Sequence, residues 1–212
     1  KVSLSPENAV ILKKVFPFTA PISLKDKKTT IGCGDRLGKA TPGHIRAAKK
    51  YDIYPVLAQQ SIRELNFTRR TYSNVTGDVV FLVFQEGFER GYGADGDHLK
   101  TIADIDVALK AGMPMITLDL SEVMNAKAAD WEESQILKEF DKLDKKAKDR
   151  ILSSYADKTF KIGSNNIKID EFEAKKCAVI YNAALDFAKV VDSHLRKNRG
   201  DKYDLEISID ET

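Results

Sequence analysis

Short apolar runs alternate with stretches of helical spacing in the first half of the chain. Runs of strand character predict four strands, near Thr30, Val56, Ala94 and Ile116. Between the last two, Ile102–Leu109 repeats apolar side chains at helical spacing, with Thr101 as the predicted N-cap and Gly112 as the stop. A strand, a glycine turn, a helix and a second strand in this order favour βα units with parallel strands.

Two other segments carry weaker signals. Thr41 is predicted to cap a short helix that has Pro42 at its first position. The run Val79–Phe84 fits either a strand or a buried helix, because periodicity cannot distinguish them over so few residues.

The pattern changes in the second half. Residues 125–161 are charged and helix-prone, and Phe160–Ile169 predicts a hairpin that turns at Ser164–Asn166. An amphipathic helix is predicted from Asp170 through Val191. Tyr203–Ile209 then predicts a fifth strand, near Ile207.

These elements indicate an α/β fold with a parallel, TIM-barrel-like sheet. Residues 1–124 form the first part of the barrel, 125–202 a mostly helical insertion, and 203–212 the next barrel strand. A closed (β/α)₈ barrel needs three more strands than the five predicted. The fold is therefore either a smaller open sheet or the front part of a longer protein.

Composition narrows the function classes. The 212 residues are 42% hydrophobic and 31% charged, with 34 basic against 32 acidic side chains, which argues against a dedicated nucleic-acid binder. The two cysteines lie far apart in sequence, and no apolar run is long enough to span a bilayer. We therefore expect a cytoplasmic protein.

Polar side chains gather where the predicted strands end, and such ends carry the sites of parallel α/β proteins. They are Asp35-Arg36, Gln59-Gln60, Asp97-His98, Asp119 and Asp210-Glu211. The densest group is Gly91–Thr101, where Asp97 and His98 are candidates for proton transfer and metal binding. Helix capping is the alternative for each of them.

Two arginines are candidate carboxylate clamps, because a guanidinium binds a carboxylate through two parallel hydrogen bonds. They are Arg46 and Arg63, and a surface salt bridge is the alternative for both. The segment Gly32–Gly38 matches neither the dinucleotide fingerprint nor the P-loop pattern, which excludes nucleotide binding on that ground.

Four segments together resemble the tagaturonate epimerase family. They are GDRLGKATPGHIRA (34–47), PVLAQQSIRELNFTRRTY (55–72), FQEGFERGYGADGDHLKT (84–101) and MITLDLSE (115–122), and the resemblance resumes at DLEISIDET (204–212). The family motif often reads GADADHLKT, and Gly96 in this chain is expected to loosen that loop. The resemblance implies a C4 epimerase of D-tagaturonate and D-fructuronate with a divalent metal, on a chain about twice as long.

The resemblance also implies roles for individual residues. His98 and Glu211 would be metal ligands, a further ligand would lie beyond Thr212, and Asp97 and Asp119 would transfer protons. The ion would be Zn²⁺, Mn²⁺, Ni²⁺ or Co²⁺. The predicted substrate contacts are Arg46, Gln60, Arg63 and Lys100.

The C4 hydroxyl of such a substrate is β to its ketone. Retro-aldol cleavage, rotation of the aldehyde fragment and re-addition would therefore invert C4, with a metal-stabilised enediolate. The alternatives are a metal-dependent aldolase or isomerase on another sugar acid, and a carbohydrate-binding or regulatory protein on the same scaffold. We expect a small hexuronate and the C-terminal half of the same protein as partners, with neither nucleic acid nor membrane, and an oligomer is open.

Overall fold

The structure, a computed structural model, describes residues 3–209. Its helices are α1 (Pro6–Val15), α2 (Thr41–Ala48), α3 (Ile62–Thr68), α4 (Tyr72–Gln85), α5 (Ile102–Lys110), α6 (Glu133–Phe140), α7 (Lys145–Tyr155) and α8 (Glu171–Arg199). Its strands are β1 (Thr30–Asp35), β2 (Tyr54–Ser61), β3 (Gly93–Leu99), β4 (Met115–Asp119), β5 (Lys158–Ile162), β6 (Asn165–Ile169) and β7 (Asp204–Ser208). The chain divides into two compact units, one up to Asp119 together with Val191–Ser208, and one of Leu120–Val190.

The first unit is built on a five-stranded parallel sheet in the order β1-β2-β3-β4-β7. All five predicted strands are confirmed, together with their parallel direction. Each strand pairs with the one before it in the sheet, so the carboxyl ends of all five lie along one edge.

Asp204, the first residue of β7, ties the segment before β1 to the sheet. Its carboxylate accepts hydrogen bonds from the Ser23 hydroxyl and from the backbone amides of Leu24 and Lys25, the latter two at 2.8 and 3.0 Å. These bonds join residues about 180 positions apart in the sequence.

Helix α5 begins and ends where the sequence predicts. The Thr101 hydroxyl accepts a hydrogen bond from the Asp104 backbone amide at the start of α5, and Gly112 follows the helix with a positive φ of 91°. The predicted cap of α2 is wrong, because Ala40 precedes the helix and Thr41 lies inside it. The Thr41 hydroxyl donates instead to Asp35, at 2.7 Å.

The undecided run Val79–Phe84 is helical and forms the last part of α4. A reciprocal capping box between Thr71 and Asn74 fixes the start of this helix. Val79, Val80 and Val83 are fully buried, so packing decides an element that periodicity leaves open.

The second unit contains the hairpin β5–β6, which is antiparallel, and a small core of Phe140, Ile151 and Ala178. The hairpin is confirmed, but it turns at Gly163-Ser164 because Ile162 pairs with Asn165. α8 begins where predicted and continues beyond Val191 to Arg199. The predicted domain boundaries at 124 and 202 stay a prediction.

Among residues 3–209, no helix is both long enough and apolar enough to cross a bilayer. Cys33 and Cys177 are both free and half-buried.

Candidate functional site

A β-bulge in β3 shapes the candidate site. Gly96 pairs with Ile116 and Leu99 with Leu118, so β3 contains one residue more than β4 between these two pairs. His98 absorbs the extra residue with a left-handed φ of 52°. Regular strand neighbours point to opposite faces, and the bulge lifts that restriction here. The strand predicted near Ala94 thus extends through Asp97 and His98 to Leu99.

The bulge brings two neighbouring side chains together. The His98 Nδ1 lies 2.7 Å from the Asp97 Oδ1, and the carboxylate of Asp97 is buried. A carboxylate accepts, so the proton of the neutral imidazole sits on Nδ1 and Nε2 presents a lone pair. The Ser208 hydroxyl lies 3.4 Å from that Nε2.

This pair fits one part of a metal site. A carboxylate that orients imidazole through its other nitrogen is the usual support of a metal-binding histidine. Within residues 3–209, no three histidine, cysteine or acidic groups converge as a metal centre. Glu211, the other predicted ligand of this chain, lies outside the described residues. Of the predicted ligands, His98 is therefore the one that the described residues place and orient for a metal ion.

Lys100 and Asp119 form a second charged pair at the carboxyl ends of the strands. The Lys100 Nζ lies 3.5 Å from the Asp119 Oδ2, and the carboxylate is buried at the end of β4. The structure thus brings four predicted residues, Asp97, His98, Lys100 and Asp119, to the ends of the neighbouring strands β3 and β4.

Gln60 does not join them. It pairs with Gly96, and a Cβ at Gly96 would lie 2.9 Å from the Ala108 side chain on α5. Paired residues share a face, so Gln60 points to the helix-covered side of the sheet, where it is buried. Gln59 lines the opposite, open face instead. Gly96 likewise lies in a packed strand, which corrects its predicted place in a loosened loop.

Arg46 is also elsewhere. It lies in the last turn of α2, where its guanidinium makes a two-point ion pair with Glu86, at the end of α4. The ends of these helices lead into the starts of the next strands, so this pair lies at the edge opposite the site. Arg63 is exposed in the first turn of α3, directly after β2.

The loop after β1 is held by Asp35. Its buried carboxylate accepts the backbone amides of residues 37–41 and the Thr41 hydroxyl. Burial raises the pKa of this carboxyl, but these hydrogen bonds outweigh it and leave the pKa below its ordinary value. Asp35 therefore organises the loop, as the capping alternative predicts.

Asp95 belongs to the dense group Gly91–Thr101, but the sequence prediction gives it no role. It lines a cavity of about 700 Å³ on the open face of the sheet, together with Gln59 and Glu206. The Thr117 hydroxyl donates to its Oδ2 at 3.0 Å, whereas Oδ1 has no hydrogen-bond partner among the described residues. Burial raises its pKa to about 7, and the charges of Asp97 and Glu206 add to the shift. Only its alternation with Asp97 along a strand would have indicated it.

Arg36 was noted at the end of β1 but not assigned a role. Its guanidinium pairs with Glu64, and its Nη2 lies 3.9 Å from the Asp97 Oδ2. Thus an arginine side chain does approach the Asp97–His98 pair, from the loop that Asp35 fixes.

Three comparisons with known proteins agree. The family model described as tagaturonate epimerase (UxaE) matches residues 1–212. A tagaturonate/fructuronate epimerase of Thermotoga maritima is 36% identical over 208 residues, which is 97% of this chain and 42% of that protein. Crystal structures of the fructuronate-tagaturonate epimerase UxaE from Cohnella laeviribosi, native and with one glycerol, both have TM-scores of 0.92 at 42% identity.

The matched structures also define the extent of the likeness. They cover 99% of this chain, and the chain covers 43% of theirs. It therefore spans about two fifths of the length of the relatives it matches. With a family model over the whole chain and relatives at 36–42% identity, the chain belongs to the tagaturonate epimerase family.

Proposed function

We propose that this chain is the N-terminal part of an epimerase that interconverts D-fructuronate and D-tagaturonate at C4. The observation that carries the proposal is the Asp97–His98 pair at the carboxyl end of β3, in a chain of this family. The Lys100–Asp119 pair at the end of the neighbouring strand adds a second ionisable carboxylate.

The proposed architecture is a TIM-barrel-like fold with a mostly helical insertion. The sheet order β1-β2-β3-β4-β7 follows the chain without reversal, as a barrel requires, whereas doubly wound sheets reverse at a switch point. The remaining strands, and with them the C-terminal half of the site, would come from a longer protein of the length of its relatives.

A divalent metal ion is part of the proposal. His98 would hold it through Nε2, with Glu211 and a group beyond this chain as further ligands. When bound, such an ion supplies Lewis-acid polarisation of the substrate ketone. Asp97 orients the imidazole of His98 in any case.

The chain's own residues suit the proton transfers of a retro-aldol inversion. Asp97 or Asp119 takes the C4 hydroxyl proton, the C3–C4 bond breaks, and its electron pair passes into the ketone carbonyl. The aldehyde fragment then turns its other face to C3, the bond re-forms, and the same carboxyl returns the proton to the C4 oxygen. Atoms and charge balance, so no co-reactant is needed.

The test uses the full-length protein that contains this chain. With D-fructuronate and Mn²⁺, Ni²⁺, Co²⁺ or Zn²⁺ we expect D-tagaturonate as the product, followed by NMR. His98→Ala should abolish turnover, whereas His194→Ala, which removes a half-buried pair with Asp106 away from the strand ends, should not. Accumulating cleavage products would favour an aldolase, and failure to bind any divalent ion would favour a carbohydrate-binding protein. Equal activity of the two variants would refute the role of His98.

A further inference from the structure

The proposed substrate carries a carboxylate two carbon–carbon bonds away from the C4 hydroxyl. A site for it needs a cation beside the group that handles the C4 proton. Of the predicted cationic contacts, Arg46 is paired with Glu86 at the opposite edge, and Lys100 is paired with Asp119. Arg63 is exposed in the first turn of α3. The loop after β1 supplies a further cation beside Asp97.

We propose that Arg36 binds the substrate carboxylate and makes the site selective for hexuronates over neutral ketohexoses. This inference rests on the proposed function. Its Nη2 lies 3.9 Å from the Asp97 Oδ2, which is beyond a hydrogen bond but within the reach of one small ligand. Arg36 and Asp97 thus lie side by side, as a carboxylate and a hydroxyl two bonds apart require.

The guanidinium is held in place before any ligand arrives. Its Nη1 donates to Glu64, whose other carboxylate oxygen accepts from the Ser61 hydroxyl at 3.4 Å. Among the described residues, no hydrogen bond engages Nη2, and the side chain is 43% exposed. Arg36 therefore combines a side chain held by Glu64 with a donor that makes no hydrogen bond to the described residues, which lowers the entropy cost of binding.

The backbone of Arg36 is equally fixed. Its carbonyl accepts Arg70 Nη1 at 3.0 Å, and Arg70 is itself paired with Asp78. The preceding residue, Asp35, binds the amides that follow. Such support from a second layer of contacts is what positions a binding group accurately.

The charge of Arg36 also suits a carboxylate ligand beside Asp97. Without a cation, a substrate carboxylate next to the buried Asp97 would be repelled. Arg36 offsets that repulsion and can donate two parallel hydrogen bonds to the carboxylate, a forked geometry that lysine does not offer. A held carboxylate would also keep the aldehyde fragment in the site while it turns.

The experiment compares two ligands in the full-length protein. D-Fructuronate is the charged substrate, and D-fructose, used as a substrate or a competing ligand, carries a hydroxymethyl group in place of the carboxylate. We expect Arg36→Ala to lower kcat/KM for D-fructuronate by roughly 100-fold, mainly through KM, because it removes charge-assisted hydrogen bonds. The kinetic or inhibition constant for D-fructose should change less than about 3-fold.

Two control variants separate loss of the carboxylate contact from general effects of replacing an arginine. Arg150→Ala removes an exposed arginine that donates to Asn182 in the second unit and should change neither constant. Arg36→Lys keeps the charge without the fork and should lose an intermediate amount, which serves if the alanine variant does not fold. Equal losses for both ligands, or no loss for D-fructuronate, would overturn the role of Arg36 alone. Wild-type protein inactive on D-fructuronate would overturn the proposed function as well.

Discussion

Replacing Asp95 with asparagine should remove a pH dependence from the stability of the protein. The Asp95 side chain is only 4% exposed, and its Oδ2 accepts from Thr117 while Oδ1 lacks a partner in the described part of the chain. Burial raises its pKa from 3.8 to about 7, with smaller contributions from the charges of Asp97 and Glu206. Asparagine has nearly the same shape but does not ionise.

The magnitude follows from linkage. A shift of about 3 pKa units corresponds to roughly 4 kcal/mol, at about 1.4 kcal/mol per unit. Because the folded pKa is raised, the folded state binds the proton more tightly than the unfolded state. The stabilisation by the neutral carboxyl is therefore fully present below pH 3.8 and is lost as the pH rises towards 7.

The assay is denaturant unfolding of wild type and Asp95→Asn at several pH values between 4 and 8. The variant should gain up to about 4 kcal/mol relative to wild type across this range, whatever its absolute stability. Thr117→Val offers a control, because losing the donor should raise the pKa of Asp95 further. Parallel pH profiles for wild type and Asp95→Asn would refute the reasoning.

Three further comparisons probe the scaffold by thermal or denaturant unfolding. Gly96→Ala should lower the free energy of unfolding by about 1–3 kcal/mol, since its Cβ would lie 2.9 Å from Ala108. Gly43→Ala, in open space on α2, should be neutral or stabilising, and equal effects of the two variants would contradict the packing argument. Asp35→Asn should lower the free energy of unfolding by about 2–4 kcal/mol, because the hydrogen bonds from the loop would no longer end on a charged carboxylate. An unchanged midpoint of the unfolding transition would exclude that role. His98→Gly should be about 1 kcal/mol more stable than His98→Ala, because glycine adopts the left-handed φ of 52° freely; the reverse order would argue against strain at the bulge.

The sheet could be predicted because its signals are local. Each strand is a short β-prone run beside a glycine or a polar end, and Thr101 and Gly112 mark the limits of one connecting helix. Val79–Phe84 remained open, because its apolar run fits both periods and only burial within α4 decides. Propensity gives way to packing at such positions.

The site was only partly predictable, because the face of the sheet on which a side chain lies depends on how its strand pairs with its neighbours. Gln59 and Gln60 are adjacent in sequence, yet only the first lines the open face. Arg46 and Arg36 lie at opposite ends of a βα unit. Arg36 stands at the end of a predicted strand, but nothing in the sequence indicates that its side chain approaches Asp97. The bulge that lets Asp97 meet His98 appears only in the pairing register.

The position of β7 in the sheet has a consequence for assembly. Residues 120–203 separate it from its neighbour β4, whereas β1 to β4 follow one another closely. During synthesis the first four strands can therefore pair before Asp204 leaves the ribosome and fastens the segment at Ser23–Lys25. Loop-closure entropy grows only by about 0.6 kcal/mol for each doubling of loop length, so the intervening stretch can lengthen or shorten at little thermodynamic cost to the sheet.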